Sequence, residues 1–452
     1  MNAQATDPAA VRPSRLLSVD EARDQVLAAV PGPLPSESVP VIAGLGRVLA
    51  EPVVAATSLP PWDNSAMDGY AVRAADTAAA SEAGPAPLKV TGEVRAGAAP
   101  DVTVVPGTAV RIATGAPIPP GADAVVPVEG TTPVDPDGRP GDRSRDASGP
   151  LPATVLVHVS VAPGGSVRAV ASDLTAGSEV LPAGDALTPS TVALAAGAGA
   201  ATVRVHRRPR VAVLATGDEI RDAGEPLGPA GIPDANRPGL LAQVTAAGSE
   251  PIDLGIAADR VDDVFARLDA ALVQDVDAVI VSGGVSVGPY DVVKSAFEAV
   301  GRVELWRVAV QPGKPFAFGT AERRGDGAPV LMFGLPGNPV SSLVTFELFV
   351  RPALRRLAGH HRLLRPVDRA VIDEPVSKSH RRRAFLRVVA DRDDAGRPVR
   401  DGSGRVRTRL AGGQGSHVLS ALATADALAV IPEADDHLPA GREVELWWLD
   451  QP

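Results

Sequence analysis

Two serines and three glycines fall within seven positions, at Ser282, Gly283, Gly284, Val285, Ser286, Val287 and Gly288. The preceding residues, Asp277 to Val281, read as a short buried strand, and a helical pattern begins at Tyr290. One or two glycines are enough to turn a chain from strand to helix. A third, with hydroxyls between, suits a loop whose backbone N–H groups face outward and meet an anion with no Cβ in the way. The helix behind such a loop adds the positive end of its dipole. The plain alternative is an ordinary tight corner, since glycine-rich corners are common.

Acidic residues recur at comparable positions. "LATGDEI" (214–220) puts Asp218 and Glu219 at the end of another strand, "GIAADR" (255–260) puts Asp259 after a third, and "SVGPYDVVK" adds Asp291 and Lys294. Each acid alone reads as a helix cap or a solvated charge. Together on one rim they would repel an anionic ligand unless a cation intervened. Mg²⁺ fits that role, because it takes oxygen ligands and bridges carboxylates to phosphates.

"QPGKPFAFG" (311–319) holds Lys314 in a proline-stiffened turn, as a point charge for an anion. "FGLPGNPVSS" (333–342) is a second glycine-containing corner, with Asn338 as N-cap or ligand contact and Pro339 in the first turn. "PPWDNSAMDGYAVR" (60–73) gathers Asp63, Asn64, Ser65 and Asp68, and "RIATGAPIPPGAD" (111–123) offers Thr114. Both read as turns or as polar binding surfaces. "SHRRRAF" (379–385) is a basic spot, either solvated or a holder of an anionic tail. The seven histidines show no metal-ligand spacing, and no Ser-His-Asp set is present.

The elements that must position these residues alternate. From about 208 to 358, "RVAVLATG", "PIDLG", "DAVIVSGG" and "VLMFGLPG" read as strands. Between them "NRPGLLAQVTAAG", with Asn236 as N-cap, "VDDVFARLDAALV" and "YDVVKSAFEAV" read as helices, and the long "PVSSLVTFELFVRPALRRL" follows. That alternation implies a doubly wound, mostly parallel sheet, which binds ligands beyond the carboxyl ends of its strands. Residues 56–162 form short β runs broken by Gly and Pro, an inserted β-rich module. Its polar stretch 131–150 reads as a loop. Residues 359–452 read as a small β-barrel or sandwich. Segments 15–55 and 163–207 flank the module, and a capping box at Ser18 and Glu21 opens the helix at 18–30. Residues 1–14 read as a loose tail.

Composition narrows the partners. The 452 residues carry a net charge of −10, which argues against sequence-independent nucleic-acid binding. Cysteine is absent, excluding disulfides and thiolate chemistry. Lysine occurs only at Lys89, Lys294, Lys314 and Lys378, so a lysine inside a motif is informative. No apolar run reaches transmembrane length and the N-terminus has no apolar signal core, so the expected setting is cytoplasmic, without a membrane partner.

Taken in order, "DNSAMDGYAVR", "RIATGAPIPPGADAVVP", "RPRVAVLATGDEI", "SGGVSVGPYD", "QPGKPFAFG", "GLPGNPVSS" and "GGQGSH" resemble the molybdopterin molybdenumtransferases, among them bacterial MoeA and the E domains of gephyrin and its plant counterpart. The likeness runs over about residues 15 to 450. It implies a multidomain chain with a MogA-like α/β domain, a β-rich insert, an elongated domain and a C-terminal β-barrel. It implies molybdenum insertion from molybdate into adenylyl-molybdopterin, with release of AMP and use of Mg²⁺. It also implies a homodimer whose cleft lies between the sheet domain of one subunit and the β-rich module of the other, and a possible adenylyltransferase partner protein.

Carried over residue by residue, the family's acids fall on Asp68, Asp173, Glu219, Asp259 and Asp291, with Glu219, Asp259 and Asp291 as metal ligands. Its substrate contacts fall on Thr114, Ser282, Gly283, Gly284, Ser286, Gly288, Lys294, Arg307, Lys314, Pro336, Asn338 and Ser416. Three positions depart from the pattern. Ser172 stands where an acid often precedes Asp173, and Arg307 and Gln311 stand where some members carry lysine. Two other readings compete. One is a molybdopterin adenylyltransferase, whose loop usually reads GGTG where this chain has "GGVS". The other is a non-catalytic dimeric scaffold.

Overall fold

A computed structural model describes residues 16–143, 149–284 and 292–449. The candidate site residues Ser286, Gly288 and Asp291 lie outside the described residues.

The central layer is a seven-stranded sheet. Its strands are β1 (Arg210–Thr216), β2 (Glu250–Ala257), β3 (Ala278–Ser282), β4 (Gly301–Val308), β5 (Pro315–Glu322) and β6 (Pro329–Leu335), with the two-residue strand Leu16–Leu17 at one edge. The order is Leu16–Leu17, β4, β5, β6, β3, β1, β2. The block β6-β3-β1-β2 is parallel, as the βα alternation requires. β5 runs antiparallel to both β4 and β6. The β4–β5 pair is new relative to the sequence reading, which assigned no strand to "GRVELWRV" and took "QPGKPFAFG" only as a turn. In fact Lys314 immediately precedes β5.

The α-helices among the described residues, in chain order, are α1 (Val19–Ala29), α2 (Pro189–Gly197), α3 (Asn236–Ala246), α4 (Val261–Val273), α5 (Val292–Val300), α6 (Pro339–Thr345), α7 (Arg351–Leu357) and α8 (Leu419–Ala423). Ser18 and Glu21 form the expected reciprocal capping box. Val19, Ala22, Val26 and Val30 are buried in the same core as β1, β3, α3 and α6. The first helix is therefore packed on the α/β layer, although its sequence position groups it with the elongated domain. The opposite face of the sheet is closed by α4 and α5, through Val264, Leu268, Val293 and Phe297. The long helix expected after Pro339 is interrupted. Between α6 and α7 the chain makes a π-helical turn, Phe346–Val350, just before Pro352, whose ring nitrogen cannot donate to an α-helical ladder.

The other domains are β-built. Strands Ser36–Pro40 and Thr202–His206 pair antiparallel, and with α2 they enclose Leu49, Leu181, Leu187 and Val205. The β-rich module is a six-stranded sheet including Gly69–Val72, Ala86–Val94 and Thr108–Ile112, with apolar clusters on both faces. The C-terminal strands Val367–Ile372, Arg383–Ala390, Val406–Leu410, Ala427–Ile431 and Glu443–Trp448 close on themselves, because Arg383–Ala390 pairs with both Val406–Leu410 and Ala427–Ile431. The region is a closed five-stranded barrel.

A buried carboxylate ties the π turn to neighbouring segments. Glu347 accepts from Arg365 Nε at 3.0 Å and Gln243 Nε2 at 3.2 Å, and lies 3.7 Å from Arg351 Nε. Glu347→Ala leaves Arg351 buried without its carboxylate. It is expected to lower unfolding free energy by about 3 kcal/mol, read by denaturant titration. A loss below about 1 kcal/mol would show that Arg351 needs no counter-ion.

Candidate active site

The parallel block has the spatial order β2-β1-β3, so the direction in which strands are added reverses between β1 and β3 while the strands stay parallel. A crevice opens there beyond the strand ends. Gly283 and Gly284 form its floor, with φ of +98° and +62°. A Cβ on Gly283 would sit 2.4 Å from the Thr216 carbonyl oxygen. One on Gly284 would sit 2.8 Å from a Val293 methyl. Both the conformation and the space require glycine at these two positions, which accounts for the doubled glycine at this corner. Gly337, from the corner between β6 and α6, packs against Gly283 with only 3.6 Å from its ideal Cβ position to the Gly283 Cα.

Asn236 joins three strand-to-helix corners. Its amide nitrogen donates to Ser282 Oγ at 2.9 Å and to the Gly337 carbonyl at 2.7 Å, and Ser282 Oγ lies 3.1 Å from Ser342 Oγ. Asn236 is thus not the N-cap expected from sequence. It is the first residue of α3, and Asp234 accepts from the backbone N–H groups of Asn236 and Arg237 at 3.1 and 3.0 Å. Arg237 in turn binds Asp234 and Asp253, at 3.0 and 2.6 Å, and pairs with Asp222. This node was not singled out from sequence; its signal is the run "PDANR" (233–237). The Ser282 hydroxyl is buried and engaged in this internal network.

The crevice has a volume of about 570 Å³, and its walls include Glu219, Asp259, Ser282–Gly284, Gly337, Asn338 and His417. Asn338 holds the N-cap position of α6 but makes no capping hydrogen bond, so its exposed amide faces the crevice free of that duty. Asp259 donates its backbone N–H to Asp218 Oδ1 at 3.2 Å. Partial burial, with Glu219 and Asp218 adding repulsion, raises the Asp259 carboxyl above its ordinary value. The acidic rim is therefore short of positive charge.

A second cavity of about 450 Å³ adjoins the first and shares Gly337 and Asn338 with it. Its lining has opposite chemistry: Lys314, Arg382, Ser341, Ser379, Gln414 and Ser416, with no carboxylate. Partial burial and the nearby Arg307 and Arg382 guanidinia hold Lys314 below its ordinary value. Gln311, the uncharged departure, accepts from the Ser379 backbone N–H at 2.8 Å and so anchors the segment that carries Arg382.

The remaining candidates lie elsewhere. Lys294 pairs with Glu298 at 3.5 Å and lines neither cavity. Asp68 accepts from both the backbone N–H and the hydroxyl of Thr114, at 2.6 and 2.9 Å, making a compact unit on the β-rich module. Asp173 lies on the elongated domain, its N–H donating to the Leu59 carbonyl at 2.9 Å. None of Asp68, Thr114 and Asp173 lines either cavity.

Fold and site define an α/β protein with a crevice at its strand ends, flanked by β domains. Family models match along the chain: "MoeA N-terminal region (domain I and II)" over residues 17–199, "Probable molybdopterin binding domain" over 212–356, and "MoeA C-terminal region (domain IV)" over 369–449. Molybdopterin molybdenumtransferase 2 of Mycobacterium tuberculosis H37Rv is 40% identical over 418 residues, 91% of this chain and 95% of the relative. The molybdopterin molybdenumtransferase of Haemophilus influenzae is 34% identical over 432 residues, 95% of this chain and 98% of the relative. The crystal structure of the molybdopterin biosynthesis MoeA protein from Pyrococcus horikoshii OT3 superposes with a TM-score of 0.74 at 27% identity, covering 96% of this chain and 100% of that one. The chain belongs to the molybdopterin molybdenumtransferase family.

The raised Asp259 carboxyl has a consequence for stability. The folded chain holds that proton more tightly than the unfolded chain, so ionised Asp259 weakens the fold above its raised pKa, and the penalty fades as pH falls through that value. Asp259→Asn should therefore raise Tm at pH 7, and the gain should shrink toward pH 4. A Tm difference that is absent at pH 7, or that grows on acidification, would contradict this electrostatic reading.

Proposed function

We propose that this protein inserts molybdenum from molybdate into adenylyl-molybdopterin, forming molybdenum cofactor and releasing AMP. One observation carries the reading: a carboxylate-rimmed crevice with a glycine floor abuts a cationic, carboxylate-free cavity. A nucleotide anhydride and a separate tetrahedral oxyanion need two such compartments side by side.

The glycine corner at Ser282–Gly284 receives the pyrophosphate, because backbone approaches it there with no side chain between. Lys314, Arg382 and the Ser416 hydroxyl hold molybdate in the adjoining cavity. Gly337 and Asn338, common to both, set the distance between the two reactants. Metal insertion is coupled to opening of the phosphoanhydride, and the chain contributes orientation and charge neutralisation.

Glu219 and Asp259 suit Mg²⁺: their oxygens are hard donors, and the raised Asp259 carboxyl marks uncompensated negative charge. Among the described residues no group of three candidate ligands forms a metal cage, so phosphate oxygens of the substrate and Asp291 would complete the coordination. When bound, the ion would neutralise charge on the anhydride oxygens.

The protein acts as a homodimer, in which the Asp68–Thr114 unit completes the crevice of the opposite subunit. Support comes from that unit's separation from both cavities of its own chain. An adenylyltransferase is the natural donor of the substrate. The setting is cytoplasmic; among the described residues no helix is long and apolar enough to cross a membrane.

Molybdate-dependent AMP release from adenylyl-molybdopterin, measured with and without Mg²⁺, tests the activity. Lys314→Ala should raise the KM for molybdate by about tenfold or more, the worth of one charge-assisted contact. Glu219→Ala should reduce kcat by about a hundredfold. AMP release that is indifferent to molybdate would refute the assignment. The shared crevice has its own test. Asp68→Ala and Glu219→Ala subunits, each strongly impaired alone, should regain activity when mixed, because one crevice of each heterodimer is intact. No recovery in verified heterodimers would place both residues in one subunit's site.

A further inference from the structure

Arg387 lies on the barrel strand Arg383–Ala390, 1% exposed, on the face opposite the barrel core that Leu386 and Val388 fill. No carboxylate pairs with it among the described residues, and burial alone lowers its pKa, to about 10. It therefore remains a cation at neutral pH. Its Nη2 donates to the carbonyls of Gly413 and Gly415, at 3.1 Å each, and its Nε has no partner among the described residues. The same loop is held at a second point. Gln414 accepts from the Arg387 backbone N–H at 2.9 Å and donates to the Arg387 carbonyl at 3.1 Å. At its far end the Ser416 carbonyl accepts from the Val340 N–H in the first turn of α6, at 3.1 Å. Gln414, Gly415 and Ser416 are walls of the cationic cavity.

A buried, unpaired cation is costly, and a methionine or leucine would fill the same space without that cost. What the guanidinium supplies is direction. In a trans peptide the C=O and the following N–H point opposite ways. With the Gly415 carbonyl turned to Arg387, the Ser416 N–H points away from it; with the Gly413 carbonyl turned likewise, so does that of Gln414. Glycine peptides flip readily when nothing holds them, and a flipped carbonyl would present negative charge to an anion.

We propose that Arg387 is a positioning residue for oxyanion binding: it locks the peptide planes of residues 413–416 so that this loop offers N–H and hydroxyl donors, and no carbonyl oxygens, to the anion in the cationic cavity. The inference rests on the reading of that cavity as the molybdate site. Arg387 touches no substrate and acts through the loop.

The test is steady-state AMP release by the full-length protein at varied molybdate, with Lys314→Ala run in parallel. Arg387→Met should raise the KM for molybdate about tenfold while changing kcat at saturating molybdate, and the KM for adenylyl-molybdopterin, less than twofold. Arg387→Lys, which keeps the charge, should recover part of the loss. Equal KM values for molybdate in Arg387→Met and the wild type, with Lys314→Ala impaired, would overturn the proposal and leave the cavity assignment standing. An unimpaired Lys314→Ala would instead defeat the assignment itself. A loss confined to Tm or kcat would reduce Arg387 to a barrel strut and also overturn the proposal. Amide hydrogen exchange on the wild type needs no variant: added molybdate should slow exchange of the Ser416 N–H at least tenfold, and unchanged exchange at saturating molybdate would refute the lock.

Discussion

The site depends on how closely three backbone corners approach one another. Gly283, Gly337 and the start of α3 meet at the carboxyl edge of the sheet, and the Asn236 amide bridges the Ser282 hydroxyl and the Gly337 carbonyl. The carbonyl of Thr216 lies where a Cβ on Gly283 would go. A side chain there would force the corners apart. Much of the surrounding structure keeps this contact in register. Valine-rich parallel strands fix the heights of the corners, Asp234 and Arg237 fix the entry to α3, and Ser342 reaches back from α6 to Ser282. Ser282, which looks like an anion donor in sequence, is a fastener of this junction.

Charge is divided across this junction. On one side Glu219, Asp218 and Asp259 crowd one another, so burial and repulsion lift the Asp259 carboxyl. On the other, Arg307 and Arg382 depress Lys314. Neither half is neutralised by its own neighbours, although the two lie side by side and share Gly337 and Asn338. Pairing them directly would relieve both, but would fill the space a ligand needs. The fold separates them with backbone and a neutral amide, and each half keeps an unmet demand, one for cations and one for anions. Such unpaired charge weakens the apo fold and is the expected signature of a site shaped for binding.

Much of this was legible in sequence because it depends on local patterns. The βα alternation dictated the parallel block, the Ser18–Glu21 spacing dictated the cap of α1, and the doubled glycine located the corner. What escaped notice arises from contacts between distant segments. The β4–β5 pair returns within the sheet with no helix between, so a reading built on βα units passes over it. Asn236 has N-cap chemistry, but Asp234 precedes it and takes that duty, freeing the amide for a residue 46 positions away. His417, read as a surface group, does lie exposed, yet it also stands in the crevice wall because the barrel loop docks on α6. Arg387 carries no motif at all; its meaning appears only once the 413–416 loop is folded over it.

The departure at Gln311 follows the same logic. A lysine there would add one more cation beside Lys314, Arg307 and Arg382, which already depress Lys314. Glutamine instead supplies an acceptor, and the Ser379 N–H uses it at 2.8 Å. The adjacent residues Val310 and Gln311 pair in parallel with Arg383 and Ala384 of the barrel, and the Arg383 N–H reaches the Ala309 carbonyl at 2.8 Å. Arg383 itself extends to Asp20 on α1, at 2.8 Å. The segment before Lys314 is thus stitched to the segment bearing Arg382, which holds two cations at a fixed separation across a domain boundary. Long cationic side chains have many rotamers to lose on binding an anion. Replacing a mobile charge by a backbone tether transfers part of that ordering to the folded protein, so the lost charge is offset by preorganisation of the charges that remain.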